Sequence, residues 1–183
     1  MKFASAFCIA LIGTLVVSCS NSDSPKPNPD KRRLFTDVAD YNDYLVDQLD
    51  MLTIAYDNSL DANITTEEAL KRCDSLVTLC EKAAENIKGI QPFEGDSSLA
   101  MQMLDYVRFL KFSGEKSIPE FLKMDEEYIN LPDSETQEIE RLGKKIDEVA
   151  VKQNTARNRE HAKVDKAQAK FGKKHQLTIV KLD

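Results

Sequence analysis

Near the end of the chain, Gln153, Arg157, Glu160 and His161 recur at the three-to-four-residue spacing that lines up side chains on one side of a helix. They interrupt an apolar stripe that Ile146 and Val149 define before them and Val164 and Phe171 resume after them. An unpaired Arg or Glu on such a stripe costs several kcal/mol, so these side chains must pair, reach water or bind something. One reading is a small-ligand pocket between helices, serving a binding role or, alternatively, a small hydrolase or metal-binding protein. The other is structural: an Arg157–Glu160 pair that fixes helix register, or a bundle end where the core has thinned. Arg157 is expected to pair with Glu160 or with an acid or tyrosine of the first helix, such as Asp40 or Tyr41.

Other chemistries fail on spacing. A carboxylate di-metal centre in a helix bundle needs Glu-x-x-His on two helices. The sequence has only two histidines, His161 and His175, and neither follows a Glu by three residues. No haem-attachment motif, serine elbow, phosphate-cradling glycine loop or nucleotide fingerprint occurs. No catalytic residue, metal set or cofactor is therefore expected. Cys73 and Cys80 lie seven residues apart on a helical pattern, a rise of about 10 Å, whereas a disulfide needs Cα atoms within about 7 Å. They read as two buried thiols acting as small apolar residues.

The elements that must position these residues are helices. Val38, Tyr41, Leu45, Leu49, Leu52 and Tyr56 mark the buried face of a first helix from Thr36 to about Ser59. Asp37, Asp40, Asp43, Asp47, Asp50, Asp57 and Asp61 fall opposite, with no Lys or Arg between Arg33 and Lys71. Thr65 and Glu68 form a capping box for a second helix that runs to about Lys88 on Ala69, Leu70, Cys73, Leu76, Val77, Cys80, Ala84 and Ile87. Asp96 caps a third, which buries Leu99, Met103, Tyr106, Val107 and Leu110. That helix is expected to break near Gly114, where Ser117-Ile118-Pro119-Glu120 reads as a fresh capping box opening a short helix to about Ile129. Asp133 or Ser134 then caps a last helix reaching to about Lys174, whose stripe is Ile139, Leu142, Ile146, Val149, Ala156, Val164, Ala167 and Phe171. The tail "HQLTIVKLD" reads as an extended segment laid on the helices. The pattern implies an all-α, antiparallel up-and-down four-helix bundle with one extra short helix.

The start of the chain has a different character. Lys2 precedes an apolar run from Phe3 to Val17 and then Ser18-Cys19, the layout of a secretory signal. Val16-Val17-Ser18-Cys19 resembles the lipobox of bacterial lipoproteins, and the resemblance implies that Cys19 is acylated and becomes the mature N-terminus. Several acyl chains on one residue hold a protein firmly on a bilayer. The following "SNSDSPKPNPDKRR" has prolines at 25, 27 and 29 and no periodic face, so it reads as an extended tether. Residues 1–18 are then a lipoprotein signal peptide, 19–34 a tether and 35–183 one helical domain. The partner implied is the lipid bilayer, reached through acylated Cys19, and Ser20 is compatible with delivery to the outer membrane of the cell envelope. Over residues 36 to 180 the chain is similar to uncharacterised helical-bundle surface lipoproteins of Bacteroidetes and spirochaetes, a similarity that brings no site with it.

Charge narrows the other partners. Once Lys2 leaves with the leader, 24 basic residues face 31 acidic ones, a net of −7, which does not invite nucleic acid or an anionic leaflet. The average hides a segregation, because residues 141–174 hold eleven Lys or Arg against four acids. That run reads either as a basic groove for an anionic ligand or as an outer helix face complementing acidic neighbours and water. A protein or small-molecule partner is expected, and its identity does not follow from these residues.

Overall fold

The structure, a computed structural model, describes residues 32–178, so Cys19, the leader, most of the tether and the last residues of the tail lie outside it. The all-α class is what the chain adopts: α1 (Val38–Asn58), α2 (Thr66–Lys88), α3 (Ser98–Phe112), α4 (Ile118–Asn130) and α5 (Thr136–Lys174). Asp37 opens α1, its Oδ1 accepting from the amides of Ala39 at 2.7 Å and Asp40 at 3.2 Å. Thr65 caps α2 through Glu68 N–H at 3.2 Å, and Asp96 receives Ser98 N–H at 2.9 Å where α3 begins. Each side chain accepts from an amide that the first helical turn leaves without a backbone partner.

Two expected boundaries are corrected. The chain does not break at Gly114: Ser113–Ser117 form a π-helical turn that carries α3 directly into α4. Ser117 has helical backbone angles and makes no capping bond, so the capping box is not formed. The wider turn accommodates Pro119, which has no N–H to give and whose ring crowds the carbonyl of the preceding turn. Gln153 of α5 donates to the Ser117 carbonyl at 2.8 Å, and Ile118 is fully buried, so packing holds the chain helical through the turn. At α5, Glu135 rather than Asp133 or Ser134 stands at the cap position, without a side-chain cap bond.

Cross-chain contacts fix the directions of the helices. Gln48 accepts from Asn86 and the Asn58 carbonyl from Arg72, so α2 runs back along α1. Asp96 meets Lys174, Tyr106 meets His161, Ser117 meets Gln153 and Tyr128 flanks Gly143, so α3 and α4 together form one arm of a long hairpin and α5 the other. At 39 residues α5 is about 58 Å long. Its second half packs on α3, beside α1, and its first half packs on α4.

The core fills the space between α1, α2, α3 and the second half of α5. Leu45, Leu52, Leu76, Ile87, Leu99, Met103 and Leu110 are fully buried in it, each worth about 1.5–3 kcal/mol relative to exposure. Its lower end is aromatic: Tyr41 stacks on Phe171 at 5.4 Å, with Phe35 and Phe93 edge-on or tilted at 5.6 Å from Tyr41. Contacts begin before Phe35, because Arg33 donates to the Gly89 carbonyl and accepts from Gln91 N–H, while its guanidinium lies over Phe35 and Tyr44. Gly114 allows α3 to approach α2 closely, since a Cβ there would stand 3.2 Å from Val77 Cγ2 and 3.3 Å from the Cys73 carbonyl. Cys73 and Cys80 are buried and free, as expected.

Candidate functional site

The four residues singled out on α5 do not form one cluster. Gln153 is committed to the Ser117 carbonyl. Glu160 does not meet Arg157; it pairs with Arg159 at 3.0 Å and Lys163 at 2.7 Å along the edge of the helix. Arg157 turns inward, its side chain 7% exposed, and forms a two-pronged pair with Asp57 at the end of α1, Nη1 to Oδ1 at 2.9 Å and Nη2 to Oδ2 at 3.2 Å. Its guanidinium lies 4.7 Å over the Tyr56 ring. His161 is exposed, stands edge-on to Tyr106 at 5.7 Å and reaches Asp165 at 3.5 Å.

Arg157 and His161 therefore share Tyr106 of α3 as a common neighbour, in a polar seam between α1 and α5. Burial raises the Tyr56 hydroxyl to about 12 and also raises that of Tyr106, although Arg157 opposes both shifts. The Tyr106 hydroxyl is sealed from solvent without a hydrogen-bond partner of normal geometry. Burial, with Asp47 nearby, holds the Asp50 carboxyl above the usual carboxylate range, against the pull of His161. The expected element was right for Arg157, an acid of the first helix. The residue was wrong, being Asp57 rather than Asp40 or Tyr41.

A second polar centre was not anticipated. His175, just past α5, has its side chain 4% exposed, with Nε2 3.3 Å from Asp96 and Nδ1 3.1 Å from Glu94. Its ring packs on Phe171 at 4.5 Å and Phe93 at 5.2 Å. Lys174 reaches the same Asp96 oxygen at 2.7 Å. Lys174 first, then the Ser98 side chain, hold the Asp96 carboxyl well below the usual range, with His175 adding to the effect. Glu94 and Gly95 adopt left-handed φ of 48° and 80°, which folds the α2–α3 loop back toward the end of α5. The sequence signal was present in Asp96 as a cap, but nothing in the spacing brings residue 96 to residue 175.

Chemically these arrangements bind parts of the chain to one another. Among the described residues no group of three His, Cys, Asp or Glu side chains is placed to hold a metal ion. The two thiols are held protonated, pushed up by burial to about 11 for Cys73 and about 12 for Cys80. No known protein family, curated protein or solved structure matches the chain.

Proposed function

We propose that this chain is a lipid-anchored protein of the cell envelope, acylated at Cys19 and delivered to the outer membrane, whose helical domain acts by binding rather than by catalysis. The observation that carries the anchoring is the run from Lys2 through the apolar Phe3–Val17 to Ser18-Cys19. No helix among the described residues is long and apolar enough to cross a membrane. The polar residues of α5 support their structural reading rather than a pocket, which leaves the binding role to the outer surface of the domain. Gln153, Arg157 and Glu160 are each engaged by a partner within the chain, as expected of side chains that set the register of a long helix.

The test is Cys19→Ala in the full chain, followed by detergent phase partition and metabolic labelling with a palmitate analogue. Loss of both label and membrane partition is the expected result. Partition equal to wild type, with no label in either chain, refutes the anchor.

A further inference from the structure

We infer that the outer face shared by α3 and α5 is a docking surface for the anionic phospholipid headgroups of a bilayer. Net charge argues against such a surface, but that argument treats the charges as evenly spread. Lys145, Lys152, Arg159, Lys163, Lys166, Lys170 and Lys173 are all exposed. At 100° per residue they fall within one quadrant of α5, turned away from the side that meets α1 through Arg157, His161 and Gln168. They form a straight track about 42 Å long. Lys145, Lys152, Lys166, Lys170 and Lys173 form no ion pair among the described residues, whereas Arg159 and Lys163 share Glu160.

The acids lie elsewhere. Of the aspartates of α1, Asp57 pairs with Arg157 and Asp50 feels His161, both on the side of α5 turned away from the track. On the track's side, Asp105 is taken by Arg108, Glu115 by Lys111 and Asp96 by Lys174, while Glu148 stands beside Lys145.

The choice of occupant comes from what stands beside the track. The start of α3 and the end of α5 border one groove, lined by Asp96, Ser98, Lys170, Phe171, Lys173 and Lys174, in which the Asp96 carboxylate is already paired with Lys174. One turn further along α3, Met101 is 61% exposed, and beyond it Phe112 is 57% exposed. A hydrated polyanion gains little from apolar side chains, whereas a headgroup layer accepts cations at its surface and apolar tips at the acyl boundary. A track this long and straight also matches a plane better than a compact ligand. The surface does not depend on the acyl anchor, which residue 19 alone would carry.

The test uses the chain from residue 20 onward, which carries no acylation site at Cys19 and keeps every described core contact. It is sedimented with vesicles of phosphatidylcholine alone or with 30% phosphatidylglycerol. Binding to the anionic vesicles alone is expected, weakening as salt is raised. Lys166→Gln, Lys170→Gln and Lys173→Gln together should weaken it about a hundredfold, from about a fivefold loss per neutralised lysine. The same change at Lys82, Lys88 and Lys123 should have little effect, and circular dichroism verifies that both triple variants are folded. Equal binding to neutral vesicles, equal loss in both triple variants, or capture by heparin without vesicle binding overturns the proposal. None of these outcomes bears on Cys19, so the anchor stands or falls separately.

Discussion

Arg157 and Asp57 are a hundred residues apart in sequence, yet their side chains meet in a two-pronged ion pair with N···O distances of 2.9 and 3.2 Å. The two partners sit in unequal surroundings, since the guanidinium side chain is 7% exposed and the carboxylate side chain 48%. Removing either one therefore leaves a different residue behind. Asp57→Ala strands a buried cation and should cost about 3 kcal/mol, the low end for a broken buried pair. Arg157→Ala frees Asp57 into water and loses mainly the packing over Tyr56, at about 2 kcal/mol. Arg157→Met with Asp57→Leu should restore most of either loss. Urea unfolding of the three variants decides this, and an Arg157→Ala chain as stable as wild type would show that the pair holds nothing.

Asp96 gives the fold an acid-sensitive joint. Its carboxyl is depressed in the folded state by Lys174, Ser98 and His175, so its contribution is complete above the ordinary carboxylate range. As pH falls below about 4 an unfolded-state carboxyl takes up a proton before the folded one does, and the contribution is progressively lost. The melting temperature of wild type should exceed that of Asp96→Asn at pH 6, and the gap should narrow steadily toward pH 2. A gap that does not change with pH contradicts the assignment.

The thiols should be silent until the chain opens. With Cys73 held to about 11 and Cys80 to about 12 by burial, neither forms appreciable thiolate at pH 8. Iodoacetamide should label neither in the chain from residue 20 onward, and both in urea. Rapid native labelling would place them on an exposed face.

Two glycines should respond to alanine with opposite signs. In a helix interior the change ordinarily stabilises by up to about 1 kcal/mol. At Gly143 the new methyl would sit 3.4 Å from Tyr128 Cε2, an ordinary contact, so Gly143→Ala should raise stability. At Gly114 it would press on Val77, Leu76 and the Cys73 carbonyl at 3.2–3.3 Å, and a backbone oxygen cannot turn aside. Gly114→Ala should lower stability by about 1–2 kcal/mol. Thermal melts of the pair provide the comparison.

Most of the helices could be read from the chain because apolar periodicity and capping residues are local properties. Tyr41, Leu45, Leu49, Leu52 and Tyr56 bury the face that their spacing marks, and Thr65 caps where its type suggests, whereas at α3 the cap position falls on Ser97 and Asp96 receives Ser98 N–H from one residue earlier. Two things were not local. The π-helical turn at Ser113–Ser117 arises because α2 and Gln153 hold both sides of Pro119 in place, whereas Pro119 alone looks like the start of a new helix. Register between α1 and α5 was also hidden, since sliding one apolar stripe along another by whole turns leaves the pattern unchanged. Level with Tyr41 stands Phe171, and the partner of Arg157 lies about four turns further along α1. The Arg157–Asp57 bond itself is the kind of contact that removes this degeneracy, as a polar residue on a coiled-coil seam does.

The tip of the long hairpin has a separate consequence. Residues 131–135 join α4 to α5, and close to this turn the two helices face each other, with Tyr128 across from Gly143. Matched insertions, seven residues before Leu131 and seven after Glu135, would keep every facing pair below them in place and add one repeat to the seam. An insertion in a single arm would shear Gln153 from Ser117 and Arg157 from Asp57 at once. The overhang of this hairpin is thus an adjustable dimension, free to vary by whole repeats while the core beneath it stays constant, much as a mast can be lengthened without altering its footing.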